Sequence, residues 1–210
     1  MPTRVKICGI TRPQDGQAAA AAGAHAIGLV FHPASPRYVS IEQARAIVAA
    51  LPPLVCVVGL FVDAAARTID AVLREVPLDL LQFHGNEPPQ ACRRHGRRYL
   101  KALHVRPDVD LARAAASYED AAGLLLDAFV PGVPGGSGQV FDWAAVPAAW
   151  PRPLLLAGGL DAGNVAQAVA RLRPWAVDVS SGVETAPGIK DAARIGAFMQ
   201  AVRQVDADHG

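Results

Sequence analysis

Val5-Lys6-Ile7-Cys8-Gly9-Ile10-Thr11-Arg12, followed by Pro13-Gln14-Asp15-Gly16-Gln17 and an alanine run from Ala18 to Ala22, reads as one strand, one turn and one helix. Successive side chains of a strand point to opposite faces. Val5 and Ile7 therefore share one face, and Lys6 and Cys8 the other. A lysine and a thiol on that second face are out of place in a core strand. They suit a strand whose second face opens into a functional site. The turn is Cys-Gly-Ile-Thr and not G-x-G-x-x-G, so an open doubly wound dinucleotide sheet is the weaker reading of this unit.

The same unit recurs along the chain. Apolar, β-rich runs occupy Val5 to Ile10, Ala26 to Phe31, Val55 to Val62, Leu80 to His84, Tyr99 to Val105, Gly123 to Ala128, Leu154 to Ala157 and Ala176 to Ser180. Alanine-rich helical patterns fill the intervals: Pro13 to Ala22, Ile41 to Leu51, Ala64 to Val76, Pro88 to His95, Asp108 to Tyr118, Trp143 to Trp150, Ala162 to Leu172 and Asp191 to Val205. Such alternation implies parallel strands with right-handed crossovers. Eight repeats close naturally into a (β/α)8 barrel, the TIM barrel of the α/β class, in which each strand is followed by a helix. Pro131 to Gly138 is rich in turn formers but sits between the sixth strand and its helix, where a mobile loop belongs; a lid and an unstructured connection both stay open for Gly132 to Gly138. Nothing else divides the chain, so one domain over residues 1–210 is expected.

Composition narrows the class. With 210 residues, 51% of them hydrophobic, the chain can bury a substantial core. A formal net charge of +1 argues against a dedicated nucleic-acid surface. Of the 20 basic residues only Lys6, Lys101 and Lys190 are lysines, and the tightest arginine cluster, Arg93-Arg94 with Arg97-Arg98, reads as a solvated helix end. Cys8, Cys56 and Cys92 lack a C-x-x-C spacing and the six histidines are dispersed, so neither a disulfide framework nor a metal site is indicated. No signal peptide opens the chain, and the longest apolar run, Val55 to Val62, is far too short to span a bilayer. A cytoplasmic protein that stands alone, without membrane or nucleic-acid partners and without a cofactor, is expected; monomer and homodimer stay open.

In a barrel of this kind the chemistry belongs at the C-terminal strand ends. There the chain places Cys8, His84, His104, Asp127, Gly158-Gly159 and Asp178-Val179-Ser180-Ser181-Gly182. By alternation Asp127, Gln82, His84, Asp178 and Ser180 point into the barrel mouth. Gly158 and Gly159 would let backbone amides approach an anion, and Ser180-Ser181-Gly182 opens a short helix with free N–H groups, a phosphate site in the place where such barrels keep one. Arg37, in the loop after the second strand, has the fork to grip a carboxylate. Lys6 lies roughly 6.5 Å from Cys8 along the strand. It either supports a thiolate or pairs with Asp178, and the pairing is the favoured reading.

Several stretches carry a resemblance. Lys6-Ile7-Cys8-Gly9-Ile10-Thr11, Phe31-His32-Pro33-Ala34-Ser35-Pro36-Arg37-Tyr38-Val39, Leu81-Gln82-Phe83-His84-Gly85, Leu126-Asp127-Ala128, Gly135-Gly136-Ser137-Gly138 with Phe141-Asp142-Trp143, Leu156-Ala157-Gly158-Gly159-Leu160 and Asp178 to Glu184 resemble the phosphoribosylanthranilate isomerase family. The resemblance runs in order from residue 5 to about 191. It implies an Amadori rearrangement of N-(5-phosphoribosyl)anthranilate to 1-(2-carboxyphenylamino)-1-deoxyribulose 5-phosphate, a step of tryptophan biosynthesis. It implies Cys8 as general base, Asp127 as general acid and Arg37 at the anthranilate carboxylate. His84, Gly158, Gly159, Asp178, Ser180, Ser181 and Gly182 complete the expected substrate-binding set, for a phosphorylated small molecule. Phe83 and His104 depart from the family pattern.

The acid needs a raised proton affinity, expected from burial against the aryl ring, and the base a thiolate favoured by nearby positive charge. Two other readings stand beside this one. A pentose-phosphate epimerase would want paired acids and metal-binding histidines, and an indole-glycerol-phosphate synthase a lysine–glutamate pair on its strands. A non-catalytic metabolite-binding barrel needs the phosphate turns but not an acid and a base. A histidine-pathway aldosylamine stays open as a second substrate.

Overall fold

The computed structural model describes residues 1–106, 109–128, 146–147 and 150–209. Eight strands, β1 (Arg4–Cys8), β2 (Ala26–Val30), β3 (Cys56–Phe61), β4 (Leu80–Phe83), β5 (Tyr99–Val105), β6 (Gly123–Ala128), β7 (Leu154–Leu156) and β8 (Ala176–Val179), form a closed barrel in chain order. Every neighbouring pair is parallel, including the β1–β8 seam. All eight expected strands are present, most of them a residue or two shorter than the apolar run that announced them, because the run continues into the turn after the last ladder bond.

Alternation splits the strands into two sets of side chains. Val5, Ile7, Ile27, Leu29, Val57, Phe61, Leu81, Phe83, Leu124, Leu126 and Val177 face outward and pack with the helices in one large apolar cluster. Val58, Leu100, Ala102, Leu125, Leu155, Ala157 and Ala176 face inward and fill the barrel. Complete burial of a Leu or Val side chain stabilises by about 1.5–3 kcal/mol, so both layers contribute to the fold. Lys6, Gln82, Asp127 and Asp178 are also buried on the inward face. The interior is thus apolar below and polar toward the C-terminal rim, and this gradient positions the site.

The helices around the barrel are α1 (Pro13–Ala21), α2 (Ile41–Ala49), α3 (Ala66–Glu75), α4 (Pro89–Arg93), α5 (Leu111–Ala116), α6 (Val165–Leu172) and α7 (Ala192–His209). Ser40 and Gln43 form a reciprocal capping box at the start of α2, and Asp110 caps α5 through the Arg113 N–H. Arg93, Arg94, Arg97 and Arg98 lie at and beyond the end of α4, all four exposed. The helix expected over 143–150 lies, apart from Val146, Pro147 and Trp150, outside the described residues, as does the glycine- and proline-rich stretch 131–138. Thr3 bonds Asp206 of α7 through its N–H and its hydroxyl, both at 2.7 Å, which ties the chain's start to its last helix.

Between β8 and α7 the chain adds a feature absent from the sequence expectation. A three-residue 3-10 turn, Ser181–Val183, leads into an antiparallel hairpin of β9 (Glu184–Ala186) and β10 (Ile189–Lys190). The run Glu-Thr-Ala-Pro-Gly-Ile-Lys is too short and too polar to register as two strands on alternation alone. No helix among the described residues is long and apolar enough to cross a membrane.

Candidate active site

Cys8 is the last residue of β1 and is buried, facing the barrel mouth with Val30 and Leu60. Beneath it, Lys6 Nζ stands 2.9 Å from both carboxylate oxygens of Asp178, across the β1–β8 seam where the two residues are register partners. The favoured pairing of Lys6 with Asp178 is therefore present. Burial alone would lower Lys6, but Asp178 and Cys8 outweigh it and hold the ammonium above its ordinary range. Burial also pushes the Cys8 thiol up, and Lys6 only partly offsets this. This reverses the expected sign for the resting protein: loss of hydration costs the thiolate more than the neighbouring cation returns. Gly28 on β2 makes the arrangement possible. A Cβ there would sit 2.7 Å from the Cys8 sulfur and 3.1 Å from Lys6 Nζ.

Asp127, near the end of β6, is buried and accepts from or shares a proton with His84, whose Nε2 lies 2.9 Å from Oδ2. His84 follows β4, and its Nδ1 is 3.1 Å from Nε2 of Gln82, a fully buried side chain two residues earlier on the same face. With Gln82 donating to Nδ1, the imidazole proton sits on Nε2 and is aimed at the Asp127 carboxylate. His104 on β5 packs edge to face against His84, ring centroids 5.4 Å apart, and its Nε2 lies 3.2 Å from the His84 carbonyl oxygen.

Arg37 reaches the rim from the β2–α2 loop. Its Nε and Nη2 engage Glu184 Oε1 and Oε2 at 2.9 and 2.8 Å, a two-pronged grip on a carboxylate of the protein itself. Lys190 Nζ also meets Glu184 Oε1, at 2.7 Å, and bonds the Ser180 carbonyl and hydroxyl oxygens. Burial would raise the Glu184 carboxyl, yet Arg37 and Lys190 together hold it below its ordinary value. The hairpin thus anchors the arginine and leaves Nη1 as the edge beyond that grip.

At the opposite rim, Gly158 and Gly159 adopt φ of 86° and 63°, left-handed backbone that a residue with a Cβ rarely takes. Gly182 packs so tightly that a Cβ would lie 2.0 Å from the Leu160 carbonyl oxygen, which seats the 3-10 turn on the segment after β7. The short helix expected from Ser180 is this single turn. Cys8, Arg37, His84, Asp127, Gly158, Gly159, Asp178, Ser180 and Ser181 all line one pocket, and Gly182 stands immediately behind it.

The comparisons with known proteins bear on this pocket. Residues 5–201 match the profile of the N-(5'-phosphoribosyl)anthranilate (PRA) isomerase family. The chain belongs to this family. N-(5'-phosphoribosyl)anthranilate isomerase of Pseudomonas putida is 60% identical over 201 residues, covering 96% of this chain and 98% of that protein. That of Azotobacter vinelandii is 58% identical over 200 residues, 95% and 97% of the two chains. Among solved structures, phosphoribosyl anthranilate isomerase from Thermotoga maritima aligns with a TM-score of 0.85 at 40% identity, over 96% of this chain and 99% of its own. A phosphoribosyl anthranilate isomerase in complex with reduced 1-(o-carboxyphenylamino)-1-deoxyribulose 5-phosphate aligns at 0.82 and 39%, over 96% and 99%.

Within this isomerase barrel the sequence reading gave no site role to three residues: Gly28, Glu184 and Lys190. Lys190 is one of only three lysines, and a glycine inside a strand marks close approach, so two signals were available. Glu184 becomes visible only when the hairpin folds back to Arg37. Lys101, weighed against a synthase reading, points outward from the barrel. Its Nζ bonds Glu87 Oε2 at 2.9 Å and the Gly85 carbonyl at 2.6 Å, away from the pocket.

Proposed function

We propose that the pocket carries out the isomerisation of N-(5'-phosphoribosyl)anthranilate with Asp127 as general acid and Cys8 as general base. The isomerase reaction, a step of tryptophan biosynthesis, is that of the family. The observation that carries the residue roles is that the buried Asp127 carboxyl on β6 and the buried Cys8 thiol on β1 face the same pocket, whereas the other buried carboxyl there, Asp178, is paired with Lys6. Asp127 delivers its proton to the furanose ring oxygen as the C1–O bond breaks and the aniline nitrogen lone pair forms the C=N bond. Cys8 then removes the proton from C2, and the electron pair becomes the C1=C2 bond of an enolamine while the iminium is neutralised. Loss of the C2 hydroxyl proton and protonation at C1 give the ketone. Acid and base each contribute typically 10²–10⁴-fold in such steps.

The remaining site residues orient the substrate. The amides of Gly158-Gly159 and Ser181-Gly182, with Ser180 beside them, form the proposed phosphate cradle. Arg37 offers its Nη1 edge to the anthranilate carboxylate, while His84 holds Asp127 and Asp178 anchors the lysine under the thiol. The relative solved with a reduced carboxyphenylamino-deoxyribulose phosphate supports a ligand of this chemistry.

The test is turnover followed by the loss of anthranilate-type fluorescence. Cys8→Ser and Asp127→Asn should each lower kcat by about 10²-fold or more in protein that remains folded. Near-normal turnover in either variant would remove that residue from the chemistry.

A further inference from the structure

Lys101 and Glu87 form a buried ion pair that takes no direct part in the chemistry. Their side chains are 3% and 5% exposed, with Lys101 Nζ 2.9 Å from Glu87 Oε2. Both groups are saturated. Lys101 uses its three donors on Glu87, on the Gly85 carbonyl at 2.6 Å and on the Phe83 carbonyl at 3.3 Å. Glu87 accepts from the Gly85 N–H with both oxygens, at 3.0 and 3.2 Å, and from the Asp63 N–H at 2.8 Å. Phe83 and Gly85 are the two neighbours of His84, the residue whose ring meets Asp127. We propose that the Lys101–Glu87 pair is a positioning device for His84 and, through His84, for the Asp127 carboxyl.

The grip holds the backbone on both sides of the histidine. The His84 N–H donates to the Phe61 carbonyl at 2.9 Å, and its own carbonyl lies 3.2 Å from His104 Nε2. Next along, the Asn86 N–H donates to Asp63 Oδ1 at 2.7 Å, and the Tyr118 hydroxyl donates to the Glu87 carbonyl at 2.9 Å. Gly85 belongs to the device, because a Cβ there would lie 2.5 Å from the Asp63 carboxylate. The chain is thus fixed from Phe83 to Glu87, and the imidazole leaves it in one direction, with Nε2 2.9 Å from Asp127 Oδ2. A buried ion pair adds little net stability, since desolvation offsets its attraction. What this pair adds is aim. A misplacement of about 1 Å at a reacting group can cost roughly 10²-fold in rate. An amide at position 87 would turn its NH2 toward either Lys101 or the backbone N–H groups, so one side of the grip opens while the shape is kept.

The catalytic half of the proposal rests on Asp127 being the acid; the positioning half does not. Turnover of the full chain is compared in the wild type, Glu87→Gln, His84→Ala and the double variant, and the His84 ring nitrogens are followed by NMR. Glu87→Gln should lower kcat by about tenfold with KM within about twofold. On the His84→Ala background the same change should alter kcat by less than about twofold, because the ring it positions is gone. The His84 nitrogen signals should shift in Glu87→Gln, while those of His25, at the opposite end of the barrel, stay in place. If Glu87→Gln does not fold, Tyr118→Phe removes only the hydroxyl bond to the Glu87 carbonyl, with the same pattern expected and at least about a threefold loss of kcat. Equal losses on both backgrounds would mean that the pair serves stability alone and would overturn the proposal. Unmoved His84 signals, or a loss confined to KM, would overturn it too. Shifted signals with unchanged kcat would overturn the catalytic half, and Asp127→Asn then locates the failure. Normal turnover in that variant removes Asp127 as the acid; lost turnover keeps the acid and removes only its coupling to His84.

Discussion

Cys8 occupies surroundings that resist its ionisation. Burial lifts the thiol, and the Lys6 charge beneath recovers only part of that cost. A base must be deprotonated before it acts, so the active fraction at neutral pH is small and grows as protons are removed. Below the thiol's raised value, kcat/KM should climb by about tenfold per pH unit across the neutral range. A pH–rate profile checks this. A flat profile between about pH 6 and 8 would mean that Cys8 is not the titrating base. Gly28 belongs to the same argument, because any side chain there occupies the space of the Cys8 sulfur.

At the scale of the element, the hairpin of β9 and β10 is the device that sets Arg37. Glu184 is held by Arg37 and Lys190 together, and its carboxyl lies below its ordinary value for that reason. Glu184→Gln keeps the shape but weakens the charge-assisted grip. It should raise KM several-fold with a smaller change in kcat, and Arg37→Ala should raise KM further; steady-state kinetics separate the two effects. The linkage has a definite sign. A carboxyl with a depressed folded value contributes stability that is fully present above the unfolded value of about 4.3 and is lost as pH falls through the folded one. The wild-type chain should therefore lose more stability than Glu184→Gln on acidification below about pH 4.3, measured by urea unfolding at stepped pH. Equal losses would place the pair outside the stability of the fold.

For the molecule as a whole, the Lys6–Asp178 pair lies on the seam where the last strand meets the first. Both side chains are almost wholly buried, 3% and 7% exposed, so neither charge can fall back on water. Lys6→Met leaves a buried carboxylate unpaired and should cost about 3–5 kcal/mol. The double variant Lys6→Met/Asp178→Leu should recover much of that loss, because a buried pair replaced by apolar side chains is often near neutral. Urea midpoints of the wild type, both single variants and the double variant measure the coupling. Additive losses would mean that the pair does not act as a unit.

The sequence by itself determined the barrel, the facing of its strands and most of the rim. Period-two alternation is a local property of a chain, and it assigned Lys6, Cys8, Gln82, Asp127 and Asp178 to the interior without any knowledge of neighbours. The strand-then-helix order did the rest, since parallel strands with right-handed crossovers close in one way. What each rim residue touches was decided only by tertiary structure. Glu184 and Arg37 are far apart in sequence, and only the return of the hairpin makes them partners. His84 just after β4, His104 on β5 and Asp127 on β6 are far apart in sequence, and their proximity is a consequence of register. Even the state of Cys8 turned on this: its charged neighbour was legible along the strand, but the loss of water around it belongs to the closed barrel, and in a buried site that loss sets the sign.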